Sequence, residues 1–173
     1  MLFFPLYLIR KTTIFNFSEH AISHLGTLKK TAKNFCLFLL AVGVLEYGFF
    51  LTLLSHFGIY NFPITTPILS VTAISTIVSA LISSKNSRTI HFVSAALTFF
   101  SAGLGGFLFS IEYAHLTSYS VISILGIIVS FLLFLTLVLG IKRKSLSAYH
   151  EFIFIFILCF WNIIYTFAIY SNI

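Results

Sequence analysis

Long apolar runs separated by short polar connections dominate this chain. Five are legible, at residues 35–55, 63–83, 89–110, 118–140 and 152–170, each about 19–23 residues long. Roughly 20 apolar residues in a helix cross the ~30 Å hydrocarbon core of a bilayer. Inside lipid the backbone must satisfy its own hydrogen bonds, and a helix does so within one segment. The pattern therefore predicts an all-α integral membrane bundle of five transmembrane helices. Short connections make neighbours antiparallel and imply one transmembrane domain, residues 35–173. Residues 1–34 are expected to be a cytoplasmic or interfacial N-terminal segment.

Two patterns precede the first run. Residues 1–9 are apolar but too short to span. They are expected in the interface, or as the remnant of a further helix; no basic n-region marks them as a cleavable signal peptide. In residues 17–34, Ser18 reads as a helix cap with Glu19 in the first turn. Ala21, Ile22, Leu25 and Leu28 then share one face, with Lys29, Lys30 and Lys33 following. That spacing predicts a short amphipathic helix on the cytoplasmic surface. Gly26 is the residue that would bend or end it.

Charge orients the bundle. Of the ten basic residues, Arg10, Lys11, Lys29, Lys30 and Lys33 precede the first run. Lys85 and Arg88 lie between the second and third, and Lys142, Arg143 and Lys144 between the fourth and fifth. The other connections and the C-terminal tail carry no Lys or Arg. The positive-inside rule then places the N-terminus in the cytoplasm and the C-terminus outside the cytoplasmic membrane. The net charge of +6 is thereby spent at helix ends, facing anionic headgroups, so nucleic acid is not an expected partner. The lipid bilayer is. Hydrophobic residues make up 59% of the chain and charged ones 8%, against about 25% charged in a soluble domain.

Glu46 is the outlier in this pattern. It falls at the middle of an apolar run, where a charge costs on the order of 2.5–3.5 kcal/mol on insertion scales. Such a residue is a functional candidate that faces the bundle interior. Asn162, at the middle of the fifth run, is the expected partner at the same depth. The bland reading is a hydrogen bond that only joins two helices. On the cytoplasmic side, His24, His91 and Glu151 form a second candidate cluster. The segment Ile22–Gly26 is expected to dock there through Ile22 and Leu25, with His24 either pairing with Glu151 or facing water. Glu112 and His115 stand three apart with His56 as the obvious third, a weak basis for a metal site, and no metal is expected. Cys36 and Cys159 read as small buried hydrophobes rather than a disulfide. The chain has no Asp, no HExxH motif and no nucleotide loop, so no cofactor and no catalytic residue is implied and an enzyme is not expected.

Small residues recur at helical spacing in the inner runs. They are Thr72, Thr76 and Ala80; Ser75, Ser79 and Ser83; Ser101, Ala102, Gly105 and Gly106; and Ser123, Gly126 and Ser130. Such faces let helix backbones approach closely in lipid, and a polar pathway could use the same hydroxyls. No internal repeat is visible.

At Ile22-Ser23-His24-Leu25-Gly26 the chain resembles the small multi-pass membrane proteins catalogued as domain of unknown function 998. That family commonly shows Ile-Ser-x-Leu-Gly here, then a helix opening at an aromatic–Asn pair, which stands reversed as Asn34-Phe35. His91 with Phe99-Phe100 downstream, and Glu151 ten residues before Trp161, are also similar. The resemblance covers residues 17 to the end. It implies fold and location but no reaction, and the family pattern has about six crossings. His24 departs from the pattern, standing where the family carries an acid. Two functions follow as expectations. The first is a protein that binds or transports a small solute or lipid through an intramembrane cavity at Glu46 and Asn162. The alternative is a structural or accessory subunit, packing on a membrane partner or a second copy through the small-residue faces.

Overall fold

The structure, a computed structural model, describes residues 3–12, 15–82, 87–117, 120–142 and 147–171. Among them are six α-helices and no strand: α1 (Phe3–Arg10), α2 (Ala32–Phe57), α3 (Thr65–Leu81), α4 (Arg88–Leu116), α5 (Val121–Lys142) and α6 (Ala148–Tyr170). Two short 3-10 turns, Ile22–Gly26 and Ile59–Asn61, lie before and after α2. Lys85, Arg143, Lys144, Ser83 and the start of the fourth run at Ser118 lie outside the described residues.

Three helices are long and apolar enough to cross a membrane: α2, α4 over Thr89–Leu116, and α6. The helices at the second and fourth runs are shorter as apolar units, Thr65–Leu81 and Val121–Thr136. The run at 63–83 predicts a longer α3 than is found. Its 17 residues extend only about 25 Å at 1.5 Å per residue, because the chain at Pro63–Ile64 is spent in a turn. The fourth element is the reverse case. The run at 89–110 underestimates α4, which continues to Leu116 and carries Glu112 and His115 on its last turns.

Pairings along the helices fix their directions. Thr72 meets Ser101, Thr76 meets Thr98 and Ser79 meets Ser94, so numbers fall on α4 as they rise on α3 and the two are antiparallel. On α6 they rise together with α4: Phe99 meets Phe154 and Phe109 meets Tyr165, a parallel pair. Helices α2, α4 and α6 thus start at one end of the bundle, called here the basic end. Helices α2 and α3 approach closely at Gly43. A Cβ there would lie 2.7 Å from Ile77 Cγ1 and 3.3 Å from the Ala73 carbonyl oxygen.

Three buried clusters hold the bundle among the described residues: one toward each end, and Ala102, Leu133, Phe154 and Leu158 joining α4, α5 and α6 between them. At the far end, Phe62, Phe109, Tyr113, Trp161 and Tyr165 are fully buried with Leu53, Leu54 and Leu69. Stacked and edge-on rings dominate, with Phe62–Phe109 centroids 4.6 Å apart and Phe109–Tyr165 4.8 Å. Such pairs add about 0.5–1.5 kcal/mol each beyond area burial. At the basic end, Leu8 of α1, Ile22 and Leu25 of the 3-10 turn, Phe35 of α2 and Ala148 of α6 form a second cluster.

The amphipathic helix that the spacing predicts over 17–34 does not form. Ser18 is not a helix cap. Its N–H and hydroxyl both donate to the Asn16 side-chain oxygen, at 3.1 and 2.9 Å, and the Asn16 N–H donates to His20 Nδ1 at 3.0 Å. A short polar side chain bonding its own backbone two residues on makes a turn and competes with helix. Only Ile22–Gly26 coils, as a 3-10 turn. Ile22 and Leu25 nonetheless bury one shared face, at 4% and 0% exposure.

Candidate functional site

The interface of α3 and α4 carries a ladder of hydroxyls. Thr72 donates to Ser101 Oγ at 2.9 Å, Thr76 approaches Thr98 at 3.5 Å, and Ser79 donates to Ser94 Oγ at 2.7 Å. The α4 hydroxyls pass their protons to carbonyls of their own helix: Ser101 to Leu97, Thr98 to Ser94, Ser94 to His91. The small-residue faces are therefore consumed within the chain. Thr72, Ser75, Thr76, Ser79, Ala80, Ser101, Ala102, Ser123 and Ser130 are all buried.

Beside the basic-end half of this ladder lies a cavity of about 100 Å³. Six elements contribute walls: α1 through Pro5, the 3-10 turn through Ile22 and Ser23, α2 through Phe35 and Phe38, α3 through Thr76 and Ser79, α4 through His91 and Thr98, and α6 through Glu151. Glu151 stands in the first turn of α6 and is 7% exposed. Its carboxyl accepts the backbone N–H groups of Ile22 and Ser23, so a side chain of α6 caps a turn that lies 129 residues earlier. The Ala148 N–H reinforces the seam, donating to the His20 carbonyl at 2.8 Å.

His91 and Glu151 thus share one cavity, while His24 turns away from it. The His24 ring stacks on His20, centroids 4.4 Å apart, and its Nδ1 meets the Thr27 hydroxyl at 3.3 Å. No His24–Glu151 hydrogen bond or ion pair is present among the described residues; backbone donors occupy the carboxyl. Burial, with the adjacent His20 second, holds the His24 imidazole below its ordinary value. His91 is anchored differently. Its Nδ1 lies 3.0 Å from the Ile82 carbonyl oxygen, which can only accept, so the hydrogen sits on Nδ1. Nε2 is buried with no partner.

Glu46 is 5% exposed and faces inward, hydrogen-bonded to the side chain of Thr76, which also lines the cavity. Its Oε2 has no partner, and neither has Asn162 Oδ1. No hydrogen bond joins Glu46 to Asn162, and register explains it. On the parallel pair α2 and α6, Phe49 meets Trp161, which puts Glu46 level with Leu158. Asn162 therefore sits about one helical turn, some 5 Å, beyond the level of Glu46.

A second polar cluster interrupts the aromatic core. Trp161 Nε1 donates to Ser110 Oγ at 3.3 Å, and Ser110 meets Ser130 at 3.3 Å. Further out, the Thr65 hydroxyl donates to Glu112 at 2.5 Å, so that carboxyl is engaged by α3. Among the described residues no three His, Cys, Asp or Glu stand together as a metal set, and Cys36 and Cys159 are free thiols. Reading the sequence missed Ser94 and Thr98 as site residues. Their signal was their spacing with Ser101 at i, i+4 and i+7, one face of α4 opposite the polar face of α3. Compared with protein-family models, with curated proteins and with solved structures, the chain matches none.

Proposed function

We propose that the protein crosses the cytoplasmic membrane five times, N-terminus inside and C-terminus outside, and binds or transports a small solute or lipid tail in the basic-end cavity. Side-chain distribution supports the membrane setting. Leu45, Ile74, Phe92, Phe131, Phe156 and Phe167 are exposed on five different helices, an outer surface suited to lipid. The short α3 is accommodated by local thinning of the bilayer and by its flanking turn.

One observation carries the binding reading. A cavity of about 100 Å³ lies against buried polar groups, one of which, His91 Nε2, has no protein partner. Buried polar atoms without partners cost on the order of 1–3 kcal/mol each. The interior holds that cost in place of closer packing, as a ligand site does. The accessory-subunit reading loses its main support, because the small-residue faces it needs are already buried between helices of this chain.

Two measurements test the proposal. On a background with Cys36 and Cys159 replaced by Ala, Ser79→Cys is expected to react with methyl methanethiosulfonate, read as an intact-mass shift. Ala95→Leu, which adds bulk to a cavity wall, is expected to block the reaction. An unreactive thiol in a folded protein would end the cavity reading. For topology, cysteines at Tyr60 and Thr117 are expected to label from outside, with none at Lys85 or Lys144; the reverse pattern would invert the orientation.

A further inference from the structure

The polar residues around the basic-end cavity keep their polar atoms behind its surface. The Thr76 hydroxyl donates to the Thr72 carbonyl at 3.0 Å, Thr98 to the Ser94 carbonyl at 3.0 Å, and Ser79 to Ser94 Oγ at 2.7 Å. His91 Nδ1 is held by the Ile82 carbonyl, and its Nε2 is buried rather than presented to the space. The Glu151 carboxyl is engaged by the backbone N–H groups of Ile22 and Ser23. The surface that faces the space is almost wholly carbon, supplied by residues such as Pro5, Phe38, Leu39, Ala95, Phe99 and Ile155. None of the described lining residues is Lys or Arg.

We propose that the cavity takes a short hydrocarbon, with no charged or hydrogen-bonding group inside it. The inference rests on the binding reading above and narrows its ligand to the apolar class. An ion or a polar solute would give up its hydration here and find no partner on the wall. Water is excluded for the same reason, since a buried water needs about two to four polar partners. A hydrocarbon arriving from lipid loses nothing of that kind and gains the wall contacts that a void forfeits. Size limits it. An apolar cavity of about 150 Å³ holds benzene, so the space of about 100 Å³ suits about four carbons. Filling the void favours the site over the surrounding lipid by up to about fiftyfold, so it should saturate while the guest is still dilute in the bilayer. A free molecule and the end of a lipid chain offer this same chemistry, and the test separates them.

The test is methyl NMR of the full chain in phosphatidylcholine nanodiscs, with isoleucine methyls labelled and n-butane added. Ile22 and Ile155 line the cavity, while Ile128 and Ile163 are exposed on the outer surface. The cavity methyls are expected to shift saturably, and the outer ones only in proportion to the butane added. Propylammonium and propionate are expected to leave Ile22 and Ile155 unmoved. Ala95→Leu should abolish the saturable shift by filling the space; should that variant not fold, the contrast between cavity and outer methyls decides alone. A second arm uses phosphatidylcholine with a photoreactive diazirine at its chain ends. Photolabel on residues 95–99, absent in Ala95→Leu, would identify a lipid chain as the guest, and a saturable butane shift without photolabel the free molecule; either supports the hydrocarbon assignment. Neither signal, alongside a reactive Ser79→Cys thiol, would overturn that assignment and leave the cavity reading standing. A saturable shift caused by propylammonium or propionate would overturn it as well. A saturable butane shift that persists in folded Ala95→Leu would place the guest elsewhere and overturn the proposal.

Discussion

Glu151→Leu should release the N-terminal segment without unfolding the bundle. The carboxyl accepts the N–H groups of Ile22 and Ser23 at a buried seam. Leaving a buried donor unsatisfied costs about 1–3 kcal/mol, and Glu151→Leu strands two, so about 3 kcal/mol of local stability is at stake. Each 1.4 kcal/mol is a factor of ten, and the segment should open about a hundredfold more often. It should still be docked on average, because burying Ile22 and Leu25 contributes roughly 1.5–3 kcal/mol per side chain. Amide exchange resolved by residue is the assay, since such openings are sub-global. The Ile22 amide should lose about two decades of protection in Glu151→Leu and about one in Glu151→Gln, which keeps a single acceptor oxygen. The Ala148 amide, bonded to the His20 carbonyl, should follow Ile22 because it joins the same segment. Unchanged protection at Ile22 in Glu151→Leu would refute the capping role. A change at Ile22 alone would refute release of the segment as a unit.

Three further outcomes follow from other parts of the molecule. In Gly126→Ala the new Cβ collides with the Tyr165 hydroxyl and meets its Cζ at 2.7 Å, an overpacking cost of about 1–3 kcal/mol; adding Tyr165→Phe should restore only part of the thermal stability, because the ring carbon stays in contact, and full rescue would refute the ring clash. Gly43→Ala meets Ile77 Cγ1 at 2.7 Å and backbone atoms of α3 at 3.2 and 3.3 Å, so it should lower the unfolding temperature more than Gly48→Ala, where nothing lies within 4 Å. His24 should make docking of the segment pH-dependent. Its folded-state value lies below the ordinary one, so the unfolded state binds more protons and stability rises with pH. The contribution is complete above about pH 6.5 and lost as pH falls through the lowered value; Ile22 protection should drop over that range and cease to do so in His24→Gln.

What the sequence made legible follows from what periodicity encodes. The order of the helices, the inward direction of Glu46 and the burial of Ile22 and Leu25 all depend on local spacing, and local spacing is visible in one chain. Partners are set by register between distant elements, and register is not. Depth along the run made Asn162 the natural partner for Glu46, but α2 and α6 are offset by about a turn, and the level of Glu46 is that of Leu158, as the Phe49–Trp161 contact sets it. Glu151 reads as a charge that His24 would seek, yet backbone N–H groups of a turn claim it first. The helix expected after Ser18 fails for a short-range reason that was readable, since Asn16 can bond both polar atoms of Ser18. The hydroxyl face of α4 was equally readable, but its importance appears only when α3 is laid antiparallel against it.

One device runs through the packing of α3 on α4. A Ser or Thr that donates to a carbonyl in the preceding turn of its own helix costs the helix little and satisfies its hydrogen without a partner helix. Ser94, Thr98 and Ser101 on α4 all do this, which lets α3 and α4 meet through short side chains without stranding a donor. The hydrogen bonds of the interface and the volume of the cavity beside it can then be varied separately. Replacing Thr98 by Val removes a contact of Thr76 and should lower the unfolding temperature, whereas Ala95→Leu changes the volume of the cavity and leaves the hydroxyl ladder intact.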